Sequence, residues 1–504
     1  MTVREEGMAD DRRRRQRARI PRLGLALLLT GLVGSVASCA LNPATGGRQL
    51  SLISEGEEIQ MGREAHPQIL ATFGEYPDRR LSQYVELLGL RMASRAERLN
   101  LPWTFTVVDD EVVNAFAVPG GFIYLTRGIL AHFTSEAQLA AVLGHEIGHV
   151  TARHSVTQLS QVQLAQAGLG IGAILGGPGG APVVNLAGAG FQVLSLGFSR
   201  DHERESDDLG YRYMSLLGYD PQEMIDVFAM LGRVGDLSGS ERAPGWLSTH
   251  PHPEDRELRI RERIASDSSL AEAGRVGREA YLRQIDGLIY GDDPRKGYFV
   301  EEDFYHPELA FHLRFPTGWS TVNQPSAVEA SSPERDAVIV VTLEDPIGSA
   351  DQARRRFFSE IQGIRQNDVS QVDVNGLDAS WASFSARDAQ NNQFQGEALF
   401  VALDGQVYRI LGYAPRGAWS RNREAVGAAL RSFERETRPE MLDVEPARIR
   451  IVEVEEPLPF VRFLERYPSS IPAERVALLN QVRETEVLEP GLYKQIVGGV
   501  IPQR

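Results

Sequence analysis

Apolar residues recur at helical spacing in the segment that follows Ser135. The positions that share one helix face are Leu139, Val142, Leu143, Ile147 and Val150. A serine followed three residues later by glutamine is a helix-start signal, and Ser135 with Gln138 fits it. The pattern therefore predicts an amphipathic helix that begins at Ser135.

Shorter patterns flank this helix. Two runs rich in β-branched and aromatic residues, Phe105 to Val108 and Val112 to Val118, predict strands, and a Pro-Gly-Gly turn follows the second. Downstream, Asp201 lies near the positive end of a second predicted helix, and Gly218 followed by Pro221 marks its close. This first part of the chain is therefore expected to be mainly helical with a small sheet.

The pattern changes in the second half. Residues 266–297 read as a charged helix that leads into a linker. Residues 301–436 contain short alternating strands with helical stretches near 351–364 and 419–433, the pattern of an α+β sandwich. Residues 446–498 read as a strand, a helix and a closing strand. With 504 residues, the chain is long enough for about three domains, and the expected fold class is α+β.

The helix predicted after Ser135 contains two candidate metal ligands and a candidate catalytic base. His145 and His149 are four residues apart, so both imidazoles point the same way and can bind one metal ion. Glu146 would lie beside a water on that metal and could take its proton. A tetrahedral zinc still needs a third protein ligand and keeps a fourth place for water or substrate.

The third ligand is expected on the second helix. Ala152 and Ser155 stand where a metzincin would have glycine and a third histidine, which excludes that arrangement. Glu203 and Asp207 are four residues apart and share a face. Glu203 could therefore coordinate the metal while Asp207 accepts a hydrogen bond from a ligand histidine.

Other polar residues nearby are expected to stand apart from the site. On an uninterrupted helix His154 lies about 140° around the axis from His149, which predicts a surface or packing role. Glu205 and Asp208 are expected on a solvated charged face, and His202 on the surface.

Five segments between about residues 40 and 265 resemble the HtpX and CAAX prenyl protease family of zinc metallopeptidases (peptidase family M forty-eight, a gluzincin family). They are Asn42-Pro-Ala-Thr-Gly-Gly, Asn114-Ala-Phe-Ala-Val-Pro-Gly-Gly121, the H-E-x-x-H run, the Glu203 and Asp207 pair, and Thr249-His-Pro-His-Pro-Glu-Asp-Arg256. The chain is most similar to the soluble periplasmic BepA-type branch. The resemblance implies a zinc metallopeptidase domain over 39–265, with His145, His149 and Glu203 as zinc ligands and Glu146 as the catalytic base.

The same resemblance assigns further site residues. It places His250 near the metal and has Arg256 help to hold the site. His250 could donate a hydrogen bond to the oxyanion of the reaction, occupy the metal's open place and hold the enzyme idle, or merely end a loop. Three further residues are implied on an exposed edge strand that binds an extended peptide by backbone pairing, namely Asn114, Ala115 and Phe116. Phe116 could equally be an ordinary core residue.

Two resemblances concern the second half. Residues 301–436 are similar to PsbP/Mog1-like domains, mainly through the Phe-Pro-x-Gly-Trp turn that ends at Trp319. Residues 446–498 resemble a LysM-like module, which in other proteins binds glycan. The early Gly-Asp expected near Glu456 is missing, so peptidoglycan binding and a spacer or protein-docking role both remain open.

The N-terminus reads as a lipoprotein leader over residues 1–38. A basic region from Arg12 to Arg22 precedes an apolar stretch from Leu23 to Val33, and Val36-Ala-Ser-Cys39 matches a lipobox. We expect cleavage before Cys39, the single cysteine, with lipid on its sulfur; an uncleaved anchor is the alternative. Because no aspartate follows Cys39, the usual sorting pattern implies the outer membrane, with the enzyme facing the periplasm.

Charge and glycine content add two expectations. The formal charge is −15, and removing the basic leader makes the mature chain more acidic still, which argues against nucleic-acid binding. The apolar, glycine-rich stretch from 164 to 184 predicts two helical arms joined by a flexible loop that could act as a lid.

Two functions are compatible with these observations. The first is a lipid-anchored zinc endopeptidase that cleaves misfolded, stalled or misassembled envelope proteins in quality control. The second is a non-proteolytic assembly or peptidoglycan-binding factor whose zinc site is structural or blocked by His250. The presence of Glu146 favours the enzyme, since a structural site has no need of a base.

Overall fold

The computed structural model describes residues 39–163, 197–238, 245–251, 253–267, 274–344, 348–388 and 391–502. The predicted leader over 1–38 and the predicted lid over 164–184 lie outside these residues. Within the described ranges, no helix has both the length and the apolar character needed to cross a membrane.

The N-terminal unit is mainly helical, as expected. Its helices span Glu55–Phe73, Arg79–Ala93, Arg127–His132, Glu136–Thr151, Arg200–Leu216, Gln222–Ser238, Trp246–Thr249, Pro253–Ser266 and Arg278–Gln284. We call Glu136–Thr151 the first site helix and Arg200–Leu216 the second site helix. Each begins at a serine: Ser135 accepts a hydrogen bond from the amide of Gln138, and Ser199 from that of His202.

Five short strands accompany these helices. They are β1 (Cys39–Leu41), β2 (Arg48–Leu50), β3 (Thr104–Val108), β4 (Ala115–Val118) and β5 (Phe122–Thr126). β1 and β2 form a hairpin, and the other three form a sheet in the order β3-β5-β4. β3 and β4 correspond to the two predicted strands, although residues 112–114 are not in a strand and β5 was not predicted. β4 is an edge strand of the described sheet.

The two site helices pack closely because small residues face each other. A Cβ atom on Gly148 would stand 3.0 Å from the carbonyl oxygen of Ser206, and one on Gly210 would stand 2.9 Å from the amide nitrogen of His145. Every residue of the first site helix is buried. The helix that carries the H-E-x-x-H motif therefore runs through the centre of the N-terminal unit.

The middle unit is a mixed helix and sheet structure. Its strands are β6 (Tyr298–Val300), β7 (Asp303–His306), β8 (Phe311–Arg314), β9 (Ser320–Gln324), β10 (Ala327–Ser331), β11 (Val338–Leu343), β12 (Ile364–Val374), β13 (Leu377–Arg387), β14 (Gln393–Leu403), β15 (Gln406–Pro415) and β16 (Glu434–Arg435). A seven-stranded sheet runs in the order β12-β13-β14-β15-β11-β10-β9, and a smaller one in the order β16-β8-β7-β6. Helices Ala350–Glu360 and Arg416–Arg431 pack on the larger sheet, near the two predicted helical stretches. The expected α+β class is therefore observed.

The C-terminal module, residues 446–498, contains β17 (Arg448–Val454), β18 (Leu458–Pro459), β19 (Val487–Leu488) and β20 (Gly491–Val497). β17 pairs with β20 in antiparallel fashion, and β18 with β19. Helices Phe460–Arg466 and Ala473–Asn480 lie between them in the chain, where the sequence predicted only one helix.

The C-terminal module packs directly on the N-terminal unit. Lys494 is fully buried, and its Nζ donates to the carbonyls of Ala131 at 2.7 Å, Phe133 at 2.6 Å and Leu479 at 2.8 Å. The predicted charged helix and linker over 266–297 differ from this arrangement. Two residues of its seven-residue helix Arg278–Gln284, Tyr281 and Leu282, and the apolar residues after the helix are buried in the core that both units share.

Candidate metal centre

Four buried side chains converge between the two site helices and the segment that follows Trp246–Thr249. They are His145, His149, Glu203 and His250, and one potential ligand atom from each lies within 4.8 Å of the others. None of the four is more than 2% exposed. The structure thus brings together the three residues expected to bind zinc and the histidine whose role was left open.

The spacing of these atoms fits a small tetrahedral ion. Nε2 of His145 lies 3.0 Å from Nε2 of His149 and 3.6 Å from Oε2 of Glu203, while Nε2 of His149 lies 3.3 Å from Oε1 of Glu203. Zinc ligands at about 2.0–2.1 Å in tetrahedral geometry are about 3.3–3.4 Å apart. The observed separations match that expectation.

His250 occupies the position of a fourth ligand in this tetrahedral arrangement. Its Nδ1 lies 3.2 Å from Nε2 of His145 and 3.0 Å from Oε1 of Glu203. Its ring stacks on Trp246, with the ring centroids 4.6 Å apart. His250 is therefore placed as a fourth ligand rather than as the end of a surface loop.

The protonation states also suit a metal. Burial lowers the pKa of His145 to about 4 and lowers the pKa of His149 well below its ordinary value. Burial raises the pKa of Glu203, but the charges of His250 and Arg256 outweigh it and hold that pKa well below its ordinary value. Metal ligands must be deprotonated to bind. Two neutral imidazoles and one carboxylate are therefore in the form that binds a metal. Burial lowers the pKa of His250, but the carboxylates of Glu203 and Glu146 outweigh it and raise that pKa above its ordinary value, so His250 must lose a proton before it can act as the fourth ligand.

Glu146 lies beside the cluster on the first site helix. Its Oε1 is 3.7 Å from Nε2 of His250 and accepts a long hydrogen bond, 3.5 Å, from Nε1 of Trp246. Burial raises the pKa of Glu146 to about 7. A carboxylate in that range can both take and return a proton at neutral pH, which suits a general base.

Asp207 and Arg256 contact the side chains of the candidate ligands and hold them in place. Oδ1 of Asp207 lies 2.9 Å from Nδ1 of His145, on the far side of the ring from the ligand cluster. Nε of Arg256 donates to Oδ2 of Asp207 at 2.8 Å, and its Nη2 donates to Oδ1 at 2.5 Å. Nη1 of Arg256 lies 2.8 Å from Oε2 of Glu203. Both residues contact the groups that the sequence analysis expected them to support.

Three residues expected to lie apart from the site do not. His154 is 1% exposed, with its Nδ1 3.0 Å from Nδ1 of His149, so of its two expected roles the surface one was wrong and the packing one agrees with the structure. Oε2 of Glu205 lies 3.1 Å from Nε2 of His154, so Glu205 is part of this network rather than of a solvated face. His202 is half-buried and stacks on His154 with ring centroids 4.2 Å apart. Asp208 is partly exposed and pairs with two arginines, as a charged face predicts.

The implied substrate strand is present at the edge of the described sheet, but the expected exposure was wrong, because every residue of β4 is buried and Ala115 is 0% exposed. The amide of Thr126 donates to the carbonyl of Asn114, so alternate residues of β4 face β5 and the main chain of Ala115 faces the outer edge. The side-chain oxygen of Asn114 is buried and has no hydrogen-bond partner among the described residues. Phe116 is 7% exposed and stacks on Tyr124, so its side chain belongs to the core.

Trp246 was missed by the sequence analysis. It stacks on His250, and the Arg256 guanidinium lies 4.6 Å from its ring centroid. The only available signal was its position four residues before His250, which has no meaning without the fold.

The comparisons with known proteins agree with this geometry. Residues 79–264 match the model of peptidase family M48, which agrees with the resemblance that the sequence showed in this segment. The chain is 32% identical over 229 residues to the beta-barrel assembly-enhancing protease of Escherichia coli (strain K12), covering 44% of this chain and 46% of that protein. It is 33% identical over 199 residues to the mitochondrial metalloendopeptidase OMA1 of Arabidopsis thaliana, covering 36% of this chain and 37% of that protein.

These matches leave the second half of the chain unassigned. The chain spans about half the length of the first of these relatives. It is also similar to the solution structure of cyanobacterial PsbP (CyanoP) from Synechocystis, at 14% identity and a TM-score of 0.24, covering 29% of this chain and 98% of that one. A score this low assigns no fold, and both the PsbP/Mog1-like domain and the LysM-like module stay predictions.

Proposed function

We propose that the whole protein is a zinc-dependent endopeptidase of the bacterial cell envelope. The observation that carries this proposal is the buried set of His145, His149 and Glu203 with Glu146 beside it, in a segment that matches a peptidase family. A purely structural zinc site would have no use for a buried carboxylate that stands beside the ligands without being one. The geometry therefore favours hydrolysis over a structural role.

The chemistry follows from the positions of these residues. Zinc held by His145, His149 and Glu203 would polarise the scissile carbonyl and make a water molecule easier to deprotonate. Glu146 takes one proton from the attacking water as its oxygen bonds to the carbonyl carbon. It then passes that proton to the amide nitrogen as the C–N bond breaks. Asp207 accepts the hydrogen bond from Nδ1 of His145 and so keeps Nε2 turned toward the metal.

His250 is proposed to hold the site idle until substrate displaces it. Its Nδ1 lies 3.0–3.2 Å from atoms of two ligands, where a fourth ligand would be. Each residue of the cluster is at most 2% exposed, so a peptide cannot enter the site as it stands. These observations support the ligand form of His250 over the oxyanion-donor form.

The peptide is proposed to bind as an added strand on β4. The main chain of Ala115 faces away from β5, and the side-chain oxygen of Asn114 has no hydrogen-bond partner among the described residues. Both groups are buried, so the residues that cover them must move before a peptide can pair there. Pairing through the main chain gives affinity with little sequence preference, which suits unfolded or misassembled envelope polypeptides as substrates.

The cellular setting rests on the sequence and on the relatives. The lipobox at Cys39 supports a lipid anchor at the outer membrane with the enzyme in the periplasm. The name of the Escherichia coli relative, a beta-barrel assembly-enhancing protease, supports a role in envelope protein quality control. Peptidoglycan is proposed as a partner of the C-terminal module through its predicted LysM-like fold.

The test is the Glu146→Gln variant of the mature protein. We expect it to retain one zinc per chain by elemental analysis and to lose casein cleavage by at least about 100-fold, because the base is removed and the ligands remain. Cleavage at the wild-type rate would overturn the proposed mechanism. A wild-type protein that holds zinc, cleaves nothing and co-purifies with peptidoglycan or an assembly partner would favour the non-proteolytic alternative.

A further inference from the structure

A line of three polar side chains leads away from the second histidine of the H-E-x-x-H motif. Nδ1 of His149 lies 3.0 Å from Nδ1 of His154, and Nε2 of His154 lies 3.1 Å from Oε2 of Glu205. The other carboxylate oxygen of Glu205 accepts a hydrogen bond of 2.8 Å from Nδ2 of Asn42. The line therefore reaches from the ligand cluster to the segment between β1 and β2.

With both imidazoles neutral, one arrangement of protons satisfies every contact in this line. The Glu205 carboxylate can only accept, so Nε2 of His154 donates to it and carries the proton of that ring. Nδ1 of His154 is then an acceptor, and it receives hydrogen bonds from Nδ1 of His149 and, at 3.3 Å, from the hydroxyl of Ser206. The proton of His149 is therefore on Nδ1, which leaves Nε2 unprotonated and facing the cluster. This is the tautomer of His149 that binds a metal.

The backbone brings His154 back toward the site. The first site helix ends at Thr151, and Arg153 has a φ of 60°, a left-handed conformation that is uncommon for a residue with a side chain. Arg153 is held there because it donates to Glu58 at 2.9 Å and to the carbonyl of Ile53 at 2.8 Å. This break in the helix turns His154 to the same side as His149.

Asn42 is preorganised for its contact. Its side-chain oxygen accepts from the amide of Ala44 at 2.9 Å, which fixes the amide group and points its NH₂ at Glu205. Asn42 precedes the segment 79–264 that matches the peptidase family. A residue outside the matched segment therefore contacts the network behind a zinc ligand.

We propose that His154, Glu205 and Asn42 form a positioning relay that fixes the tautomer and orientation of His149 and so sets the affinity of the site for zinc. The proposal rests on the proposed function, because it assumes zinc on His145, His149 and Glu203. A carboxylate at the end of the relay makes the imidazole of His149 a better electron donor, as carboxylates behind metal-bound histidines do. The relay complements the contact of Asp207 with His145, so that each histidine of the H-E-x-x-H motif has its own support.

Two substitutions at His154 separate a relay from simple packing. In His154→Asn, the side-chain oxygen stands close to the position of Nδ1 and can still accept from His149. In His154→Phe, the ring that stacks on His202 is retained and every acceptor is lost. We expect zinc affinity, measured by competition with a chelator, to fall about 10–100-fold in the phenylalanine variant and clearly less in the asparagine variant. The opposite ranking, with phenylalanine closer to wild type, would show that His154 only packs.

The far end of the relay is tested with Glu205→Gln and a matched control. An amide at position 205 can accept from Asn42 or from His154 but not from both, so we expect several-fold weaker zinc binding. Asp208→Asn is the control, since Asp208 lies on the same helix and contacts Arg259 and Arg263 instead. Equal zinc affinity in the two variants would overturn the relay. Failure of the wild-type protein to bind zinc would instead overturn the proposed function.

Discussion

Gly210 on the second site helix lies directly against Gly144 on the first, and a Cβ atom on Gly210 would stand 3.0 Å from the carbonyl carbon of Gly144. The contact is between main chains, so neither helix can move away to make room without separating the two histidines from Glu203. Close packing of these helices is therefore a requirement of the candidate metal centre.

A methyl group at this crossing should damage both the fold and the site. We expect Gly210→Ala to lower the free energy of unfolding by about 1–3 kcal/mol, as overpacking commonly does, and to weaken zinc binding. Urea unfolding and chelator competition measure the two effects. Gly232→Ala is the control, because Gly232 lies in a helix with nothing within 4 Å of the added atom. Equal stability losses in the two variants would show that the crossing tolerates a side chain.

His250→Ala distinguishes the two possible roles of that histidine. If His250 occupies the place of substrate, we expect the variant to retain zinc and to cleave casein faster than wild type. A fall in kcat of about 100-fold or more would instead assign His250 to stabilising the oxyanion, which is the usual cost of losing such a donor.

The pH dependence of cleavage should report Glu146. Burial raises its pKa to about 7, and only the ionised carboxylate can accept a proton. Activity should therefore fall as the pH drops through this pKa, and a cation in the site moves the fall to lower pH because it favours the carboxylate. In Trp246→Phe the hydrogen bond to Glu146 is lost, so we expect the acid limb of kcat/KM to move to higher pH. An unmoved limb would show that another group controls it.

Lys494 should contribute strongly to stability although it is remote from the cluster. In Lys494→Met three carbonyls, including those of Ala131 and Phe133, lose their donor in a buried position. We expect the free energy of unfolding to fall by about 3 kcal/mol or more, since each buried unpaired group costs about 1–3 kcal/mol. Lys296→Met is the matched control, because its side chain is 42% exposed and these are the two lysines of the chain. A loss no larger than that of the control would contradict the anchoring role.

Local spacing was enough to predict the two candidate metal ligands that lie on a single helix. His145 and His149 follow from the i, i+4 rule, and the start of their helix follows from Ser135 and Gln138. Glu203 could be proposed as the third ligand from its i, i+4 spacing to Asp207, and the family resemblance then implied it, because no periodicity relates residues on different helices.

The errors have physical causes. The position of His154 was extrapolated along a regular helix, and the left-handed backbone at Arg153 ends that regularity. Glu205 resembled a solvated residue because its partners, Asn42 and His154, are far from it in the chain. The burial of Lys494 had no local signal either, since two of its three acceptors, the carbonyls of Ala131 and Phe133, are more than 350 residues earlier in the chain.

That separation has a consequence for folding. Lys494 is joined to the carbonyl of Phe133, 361 residues before it, at the loop that leads into the first site helix. The buried carbonyls of Ala131 and Phe133 gain this donor only when the last strand of the C-terminal module is in place. Because the two parts also share one hydrophobic core, we expect the N-terminal unit and the C-terminal module to unfold together in a single transition.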